Sequence, residues 1–215
     1  MSVFARLSEN KGTIASALGK ALAQEVLRDD RTDILSECVE LASYDAGSPA
    51  SRNIRAGAAK VVEIVAEERP ELVAPDLGKL FPALAVEEPQ TRWMVIRVMG
   101  FCALLNAPVA RAAIACAGQY LADKKGLVLA SSADLFLGDL GAVSRDDAHR
   151  VFPILERSMA NALSNEPDWI LEAVAKVLPN LDQAARARAV ELAKPWRHVL
   201  RKATQHRAQR ILRLA

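Results

Sequence analysis

The sequence has few of the residues from which enzyme and metal sites are usually built. Its three histidines, His149, His198 and His206, form no H-x-x-x-H or H-E-x-x-H spacing, so no zinc site is indicated. No glycine-rich phosphate loop and no G-x-S-x-G motif is present. The sequence therefore predicts no cofactor, no metal site and no catalytic residue.

Cysteines and long apolar runs are also scarce. Cys38, Cys102 and Cys116 are odd in number and form no C-x-x-C motif, which predicts buried, reduced thiols. No run of 18 consecutive apolar residues occurs, and residues 1–10 lack the basic and apolar regions of a signal peptide. We therefore expect a cytoplasmic protein without a membrane-spanning segment.

Aromatic residues make up only 5% of the chain, whereas hydrophobic residues make up 51%. The core must therefore be filled by alanine, leucine, valine and isoleucine, which suits closely packed helices. No Gly/Ser-rich linker or low-complexity tract divides the chain. We predict a single all-α domain over residues 1–215.

One apolar pattern recurs along this chain. Apolar residues at offsets i, i+4, i+7, i+8 and i+11 share one face of a helix, here called the stripe. The copies begin at Ile14, Ile54, Thr91, Leu129, Ile170 and Leu200. Successive copies are 40, 37, 38, 41 and 30 residues apart, and the near-constant period of the first four steps predicts a helical solenoid. We predict about five helical-hairpin repeats, with residues 1–27 as an amino-terminal cap and residues 183–215 as a basic carboxy-terminal cap.

Several of these segments resemble HEAT repeats. I-R-A-G-A-A at residues 54–59, and residues 91–100 from T-R to V-M-G, resemble the second helix of the repeat. L-F-P-A-L at residues 80–84 and V-F-P-I-L at residues 151–155 resemble the first, which has an internal proline. The resemblance implies a right-handed α-α superhelix of the ARM type, in which the second helices line a concave face. It also implies an interrupted arginine ladder, because the arginine position is occupied by Ala130 and Leu171 in the later repeats.

The face opposite the stripe holds the candidate binding residues. Its i+6 position is occupied by Lys20, Lys60, Arg97, Leu135, Lys176 and His206. Trp93 lies four residues before Arg97, within reach of a cation–π contact. This column predicts a groove for an acidic peptide or a phosphate backbone. Two alternatives stay open: a solvated face, since lysine and arginine are common on exposed helix positions, and a Trp93 that is covered by a neighbouring element.

The last thirty residues are strongly basic. Residues 186–215 contain nine lysines and arginines against one acid, Glu191, a net charge of +8. The whole chain is only +2, so residues 1–185 carry about −6. This end is a candidate nucleic-acid contact through Arg201, Lys202 and His206. The competing interpretation is a polar cap on the last repeat, whose late cations complement the dipole of the final helix.

Together these patterns favour a non-catalytic protein–protein interaction module or scaffold that binds an acidic or extended protein partner on its concave face. The candidate contacts are Lys20, Lys60, Trp93, Arg97, Lys176, Arg201, Lys202 and His206. The alternative is nucleic-acid binding on a basic concave face. A resemblance to the HEAT-like DNA glycosylases for alkylated bases implies an enzymatic form of that alternative, with Trp93 and the cationic column against DNA. No residue here matches the catalytic acid of those enzymes.

Overall fold

The computed structural model describes residues 2–9, 16–48, 50–123, 126–163 and 166–214, and all regular structure in these ranges is helical. The α-helices are α1 Val3–Ser8, α2 Ser16–Asp29, α3 Thr32–Leu41, α4 Ala50–Glu68, α5 Pro70–Val73, α6 Pro89–Phe101, α7 Ala107–Ala112, α8 Ile114–Asp123, α9 Leu127–Gly141, α10 Arg145–Ala160, α11 Pro167–Val177, α12 Gln183–Ala193 and α13 Lys202–Leu214. The 3-10 helices are Ala74–Ala85, Leu178–Asn180 and Lys194–Trp196. The predicted all-α class is confirmed.

The chain divides into two compact units, Met1–Val109 and Ala110–Ala215. In the first, α2 packs on α4 and α4 on α6, while α3 covers α4 and the 3-10 helix Ala74–Ala85 covers α6. In the second, α9 packs on α11 and α11 on α13, while α8 and α10 cover α9 and α12 covers α13. Within each unit, therefore, the helices that carry the stripe contact one another. The single domain over residues 1–215 stays a prediction.

The stripe residues form the core of both units. Every residue of the copies that begin at Ile54, Thr91, Leu129 and Ile170 is buried, with at most 4% of its surface exposed. Complete burial of a valine, leucine or isoleucine side chain contributes about 1.5–3 kcal/mol. Ala130 and Leu171, which replace arginine in the resemblance, are also buried.

The first copy is displaced by one residue from the predicted register. Ile14 lies outside the described residues, Leu18 is half-buried and Ala21 is exposed. The buried positions of α2 are instead Gly19, Leu22, Ala23 and Val26, which match the same offsets counted from residue 15. A Cβ at Gly19 would lie 3.2 Å from Cγ of Lys60, so the glycine allows α2 to approach α4 closely. The sequence pattern favoured Leu18 because glycine has no side chain to count as apolar.

The last copy also begins later than predicted. Leu200 is 99% exposed, because α13 begins only at Lys202. Thr204, Ala208 and Ile211 are buried as the pattern requires. The stripe of α13 therefore has three members instead of four.

Close helix contact in the second unit depends on another glycine. A Cβ added at Gly138 of α9 would lie 2.7 Å from Cα of Ala173 in α11. This distance is shorter than van der Waals contact, and the obstructing atom belongs to the backbone. The absent side chain therefore sets how closely α9 and α11 pack.

The two internal prolines give different structures. The segment around Pro82, which resembles the first helix of a HEAT repeat, lies in the 3-10 helix Ala74–Ala85. This 3-10 helix follows the single α-helical turn α5. Pro82 has no N–H to donate, which disfavours α-helical hydrogen bonding in this segment. The α-helix α10, by contrast, continues through Pro153.

Partly buried ion pairs and a buried hydrogen bond link residues about one repeat apart. Arg55 donates from Nε and Nη2 to the carboxylate of Glu88, each at 2.7 Å. Arg111 donates in the same two-pronged way to Asp147, at 2.7 and 2.9 Å. Asp168 accepts from Thr204. These pairs are separated by 33, 36 and 36 residues, so the polar contacts follow nearly the same period as the stripe.

Candidate functional site

The three cysteine thiols offer little reactive chemistry, because burial disfavours their ionised form. Burial raises the pKa of Cys102 to about 12 and also raises the pKa values of Cys38 and Cys116. Cys38 and Cys102 are buried as predicted, whereas Cys116 is only half-buried.

Within the described ranges, no three His, Cys, Asp or Glu side chains are grouped to hold a metal ion. None of the helices there is long and apolar enough to cross a bilayer.

Trp93 and Lys60 form the centre of the candidate site in the first unit. Lys60 lies on α4 and Trp93 on the neighbouring helix α6. The Nζ of Lys60 is 5.7 Å from the centroid of the Trp93 ring and 2.7 Å from Oε2 of Glu63. Both Lys60 and Trp93 are half-buried. The contact between them is a cation–π interaction, worth about 0.5–1 kcal/mol at a partly exposed site.

Arg97 and Phe101 extend this site along α6. The guanidinium carbon of Arg97 is 4.4 Å from the centroid of the Phe101 ring, and both side chains are half-buried. Trp93, Arg97 and Phe101 are spaced by four residues, so they share one face of the helix. We call Lys60, Trp93, Arg97 and Phe101 the Trp93 surface. It has two aromatic rings, each with a cation against it.

Glu63 moderates the charge of the Trp93 surface. It is only 8% exposed, and this burial raises its pKa although the hydrogen bond from Lys60 opposes the shift. When Glu63 is ionised, it offsets one of the two cations.

The other members of the predicted column have different environments. Lys20 is exposed on α2, but the corrected register puts Ala21 at the i+6 position. In the second unit, Lys176 forms an ion pair with Asp139 of α9, and Leu135 is half-buried. His206 is exposed on α13. The structure therefore brings Lys60, Trp93 and Arg97 together, while Lys176 is neutralised by a neighbouring helix.

Several cations of the basic carboxy-terminal end pair with acidic side chains from earlier helices. Arg201 lies 2.6 Å from Asp168, which is itself buried. Arg207 and Arg210 both pair with Glu172 of α11, at 3.1 and 3.2 Å. Arg188 pairs with Glu156 at 2.9 Å, and Lys202 lies 3.5 Å from the side-chain oxygen of Gln205. These pairs favour the cap interpretation, because cations that hold the last helix in place are less available to phosphates.

Sequence reasoning missed one member of the site and one contact within it. Phe101 was not considered, although its i, i+4 spacing from Arg97 was a usable signal. The contact between Lys60 and Trp93 joins two helices, so only the packing of α4 against α6 shows it.

Comparisons with known proteins show the fold and no family. No family model and no curated protein matches the chain. Among solved structures, two engineered proteins studied by the Northeast Structural Genomics Consortium are similar. One has a TM-score of 0.62 at 13% identity, with 93% of this chain and 96% of that chain covered. The other has a TM-score of 0.60 at 12% identity over 91% of this chain, which spans 57% of that protein's length. Identities this low carry a conclusion about the helical fold alone.

Proposed function

We propose that this chain is a HEAT-like α-α superhelix that acts as a non-catalytic protein-interaction module for an acidic or extended partner. The buried stripes recur at a period of about forty residues, and the stripe-bearing helices contact one another within each unit. Polar pairs separated by 33 and 36 residues support the same repeat. Repeat arrays of this kind present extended binding surfaces.

The Trp93 surface is the observation that carries the proposal. Tryptophan and arginine are enriched among the residues that contribute most to protein–protein binding. Here both are half-buried, and each is already in contact: Trp93 with Lys60, and Arg97 with Phe101. Side chains that are ordered before binding lose less conformational entropy when a partner arrives. The surface is therefore suited to tight contact without rearrangement.

Charge indicates the kind of partner. Lys60 contacts the Trp93 ring and pairs with Glu63, whereas Arg97 lies against the Phe101 ring. A carboxylate that reaches Arg97 can accept two parallel N–H bonds, which are stronger than neutral hydrogen bonds. Trp93 would contact the apolar atoms of the same partner. An extended segment that alternates acidic and apolar side chains fits this arrangement.

The nucleic-acid alternative has less support from the contacts. Phosphate binding draws on several available cations, and its affinity falls steeply with salt. Arg201, Arg207 and Arg210 are already paired with Asp168 and Glu172. Binding of DNA there would have to replace those pairs.

A fluorescence-anisotropy titration tests the proposal. The probes are a labelled twelve-residue peptide of alternating glutamate and leucine, and a labelled 20-base-pair DNA duplex, each in low and moderate salt. We expect the peptide to bind the full chain. Arg97→Glu and Trp93→Ala should each weaken peptide binding at least tenfold. Arg97→Lys should retain part of the peptide affinity.

Trp169→Ala is the matched control, because Trp169 is also a half-buried tryptophan beside an arginine, at 5.6 Å from Arg207, but belongs to the second unit. It should bind the peptide like the unsubstituted chain. Peptide binding that Arg97→Glu leaves unchanged would contradict the proposed surface. Duplex binding that declines log-linearly with salt, without peptide binding, would favour the nucleic-acid alternative instead.

A further inference from the structure

An open groove of about 490 Å³ lies between α12 and α13 in the second unit. Its lining consists of four residues of α12 and one of α13: Gln183, Arg186, Ala187, Val190 and Leu212. The four residues of α12 are spaced i, i+3, i+4 and i+7, so they share one face of that helix. The groove therefore follows α12 for about two helical turns.

The groove face of α12 differs from the face that this helix buries in the protein. The buried residues of α12 are Ala185, Ala189 and Ala193. In the groove, Ala187 is exposed, and Val190 and Leu212 are half-buried. The groove thus has an apolar floor that packing within the chain covers only in part.

The charge beside this floor is positive. Arg186 is the charged member of the five lining residues. Its Nη2 and Nε donate to two backbone carbonyl oxygens, at 2.7 and 2.9 Å, and no carboxylate of the described residues pairs with it. These bonds hold the guanidinium in place and leave its charge uncompensated. Glu191, the one acid in residues 186–215, pairs with Lys194 instead.

A helix fits this groove better than an extended segment. Extended segments bind by adding backbone hydrogen bonds at a free strand edge, and α12 and α13 offer no such edge because both are helical. A helix binds instead by packing its apolar side chains between those of its neighbours, and the small side chain of Ala187 allows a close approach. The charge of Arg186 favours a helix with carboxylates beside its apolar stripe.

We propose that this groove binds an acidic amphipathic helix of a partner protein, with the apolar stripe of that helix on Ala187, Val190 and Leu212 and a carboxylate at Arg186. A phosphate backbone fits the groove less well, because it binds through several cations, whereas one cation and an apolar floor line this groove. The proposal is independent of the Trp93 surface, which lies in the first unit and suits an extended segment.

Fluorescence anisotropy with the full chain tests the proposal. The probe is a labelled sixteen-residue peptide with leucines repeating at i, i+3, i+4 and i+7 and with glutamate or alanine elsewhere. One control peptide has lysine in place of glutamate, and a second has the same composition as the probe without the helical stripe. We expect the probe to bind. Each control should bind at least tenfold more weakly, because it lacks either the charge match or the apolar stripe.

Two exposed alanines provide matched variants. Ala187→Glu puts a carboxylate inside the groove and should weaken probe binding at least tenfold, because it repels the acidic helix and fills its place. Ala203→Glu makes the same change on the face of α13 opposite Leu212 and should leave probe binding unchanged. Arg186→Gln should weaken binding about threefold, whereas Arg186→Lys, which keeps the charge, should retain most of the affinity. Circular dichroism checks that each variant keeps its helix content.

Probe binding that Ala187→Glu weakens, and that Ala203→Glu and Trp93→Ala leave unchanged, supports the groove. Absence of probe binding overturns the proposal, and so does equal binding by Ala187→Glu and the unsubstituted chain. Equal binding of the lysine peptide overturns the acidic character of the partner. Binding that is lost in Trp93→Ala alone overturns the proposal and assigns the helix to the Trp93 surface. Self-association that Ala187→Glu abolishes, measured by sedimentation velocity without peptide, overturns it and assigns the groove to a second copy of the chain.

Discussion

Replacing Asp134 by asparagine should change how the stability of the protein depends on pH. Asparagine has nearly the shape of the neutral carboxyl but cannot ionise. The side chain is 1% exposed, and its burial raises its pKa from 3.8 to about 8. Folding therefore favours the protonated form of this residue. The substitution removes this one titration from the folded protein and leaves its surroundings in place.

The sign and size follow from proton linkage. Because the folded-state pKa is raised above the unfolded value, the stabilisation is complete below about pH 4 and is lost as pH rises to about 8. In this window the unfolded chain has released the proton and the folded chain still holds it. The free energy of unfolding should thus fall by about 1.4 kcal/mol per pH unit from this residue. Between pH 5 and pH 8 the total is about 4 kcal/mol.

Urea unfolding of both proteins at pH 5, 6, 7 and 8 measures this effect. The asparagine amide introduces a buried donor, which costs about 1–3 kcal/mol if it is unsatisfied, but this offset does not depend on pH. The informative quantity is the stability of Asp134→Asn minus that of the unsubstituted protein. This difference in the free energy of unfolding should increase steadily with pH. The exposed carboxyl variant Asp146→Asn serves as the reference for the same comparison. Parallel stability curves from pH 5 to pH 8 would refute the reasoning.

Two further predictions concern packing and buried charge. Gly138→Ala should destabilise the protein by about 1–3 kcal/mol in urea unfolding, because the added Cβ meets the backbone of α11 at 2.7 Å. Gly118→Ala on α8, where a Cβ meets nothing within 4 Å, should instead stabilise it by about 0.5–1 kcal/mol; equal effects of the two would contradict this account. Arg55→Met should cost about 3–5 kcal/mol, because it leaves the carboxylate of Glu88 buried without its partner. The pKa of Glu88 supports this, since burial alone would raise it and the hydrogen bonds from Arg55 and Thr91 lower it overall. Adding Glu88→Leu should restore most of the loss in thermal unfolding, and a double variant as unstable as the single one would count against the explanation.

The Arg55–Glu88 pair and the cations of the column show where sequence reasoning reached its limit. Charge at outward helix positions was visible in the sequence, and so was the spacing of Trp93 from Arg97. The partners were not, because Glu88 and Asp139 lie 33 and 37 residues from the cations they neutralise. The sequence pattern of one helix shows the charges on that helix but not the counterions that neighbouring helices supply.

The apolar pattern was determined by the sequence itself. Four copies of the stripe are buried at every position, since a helix with apolar residues on one side is stable in water only when that side is covered. The all-α class follows from the same pattern. The register of α2 was decided by tertiary structure, because Gly19 is buried for the close approach it permits and not for its hydrophobicity. The contact of Lys60 with Trp93 and the burial of the Asp134 carboxyl likewise exist only once separate helices pack together. Periodicity is a local property of the chain, whereas contacts and electrostatic environments depend on what folding brings near.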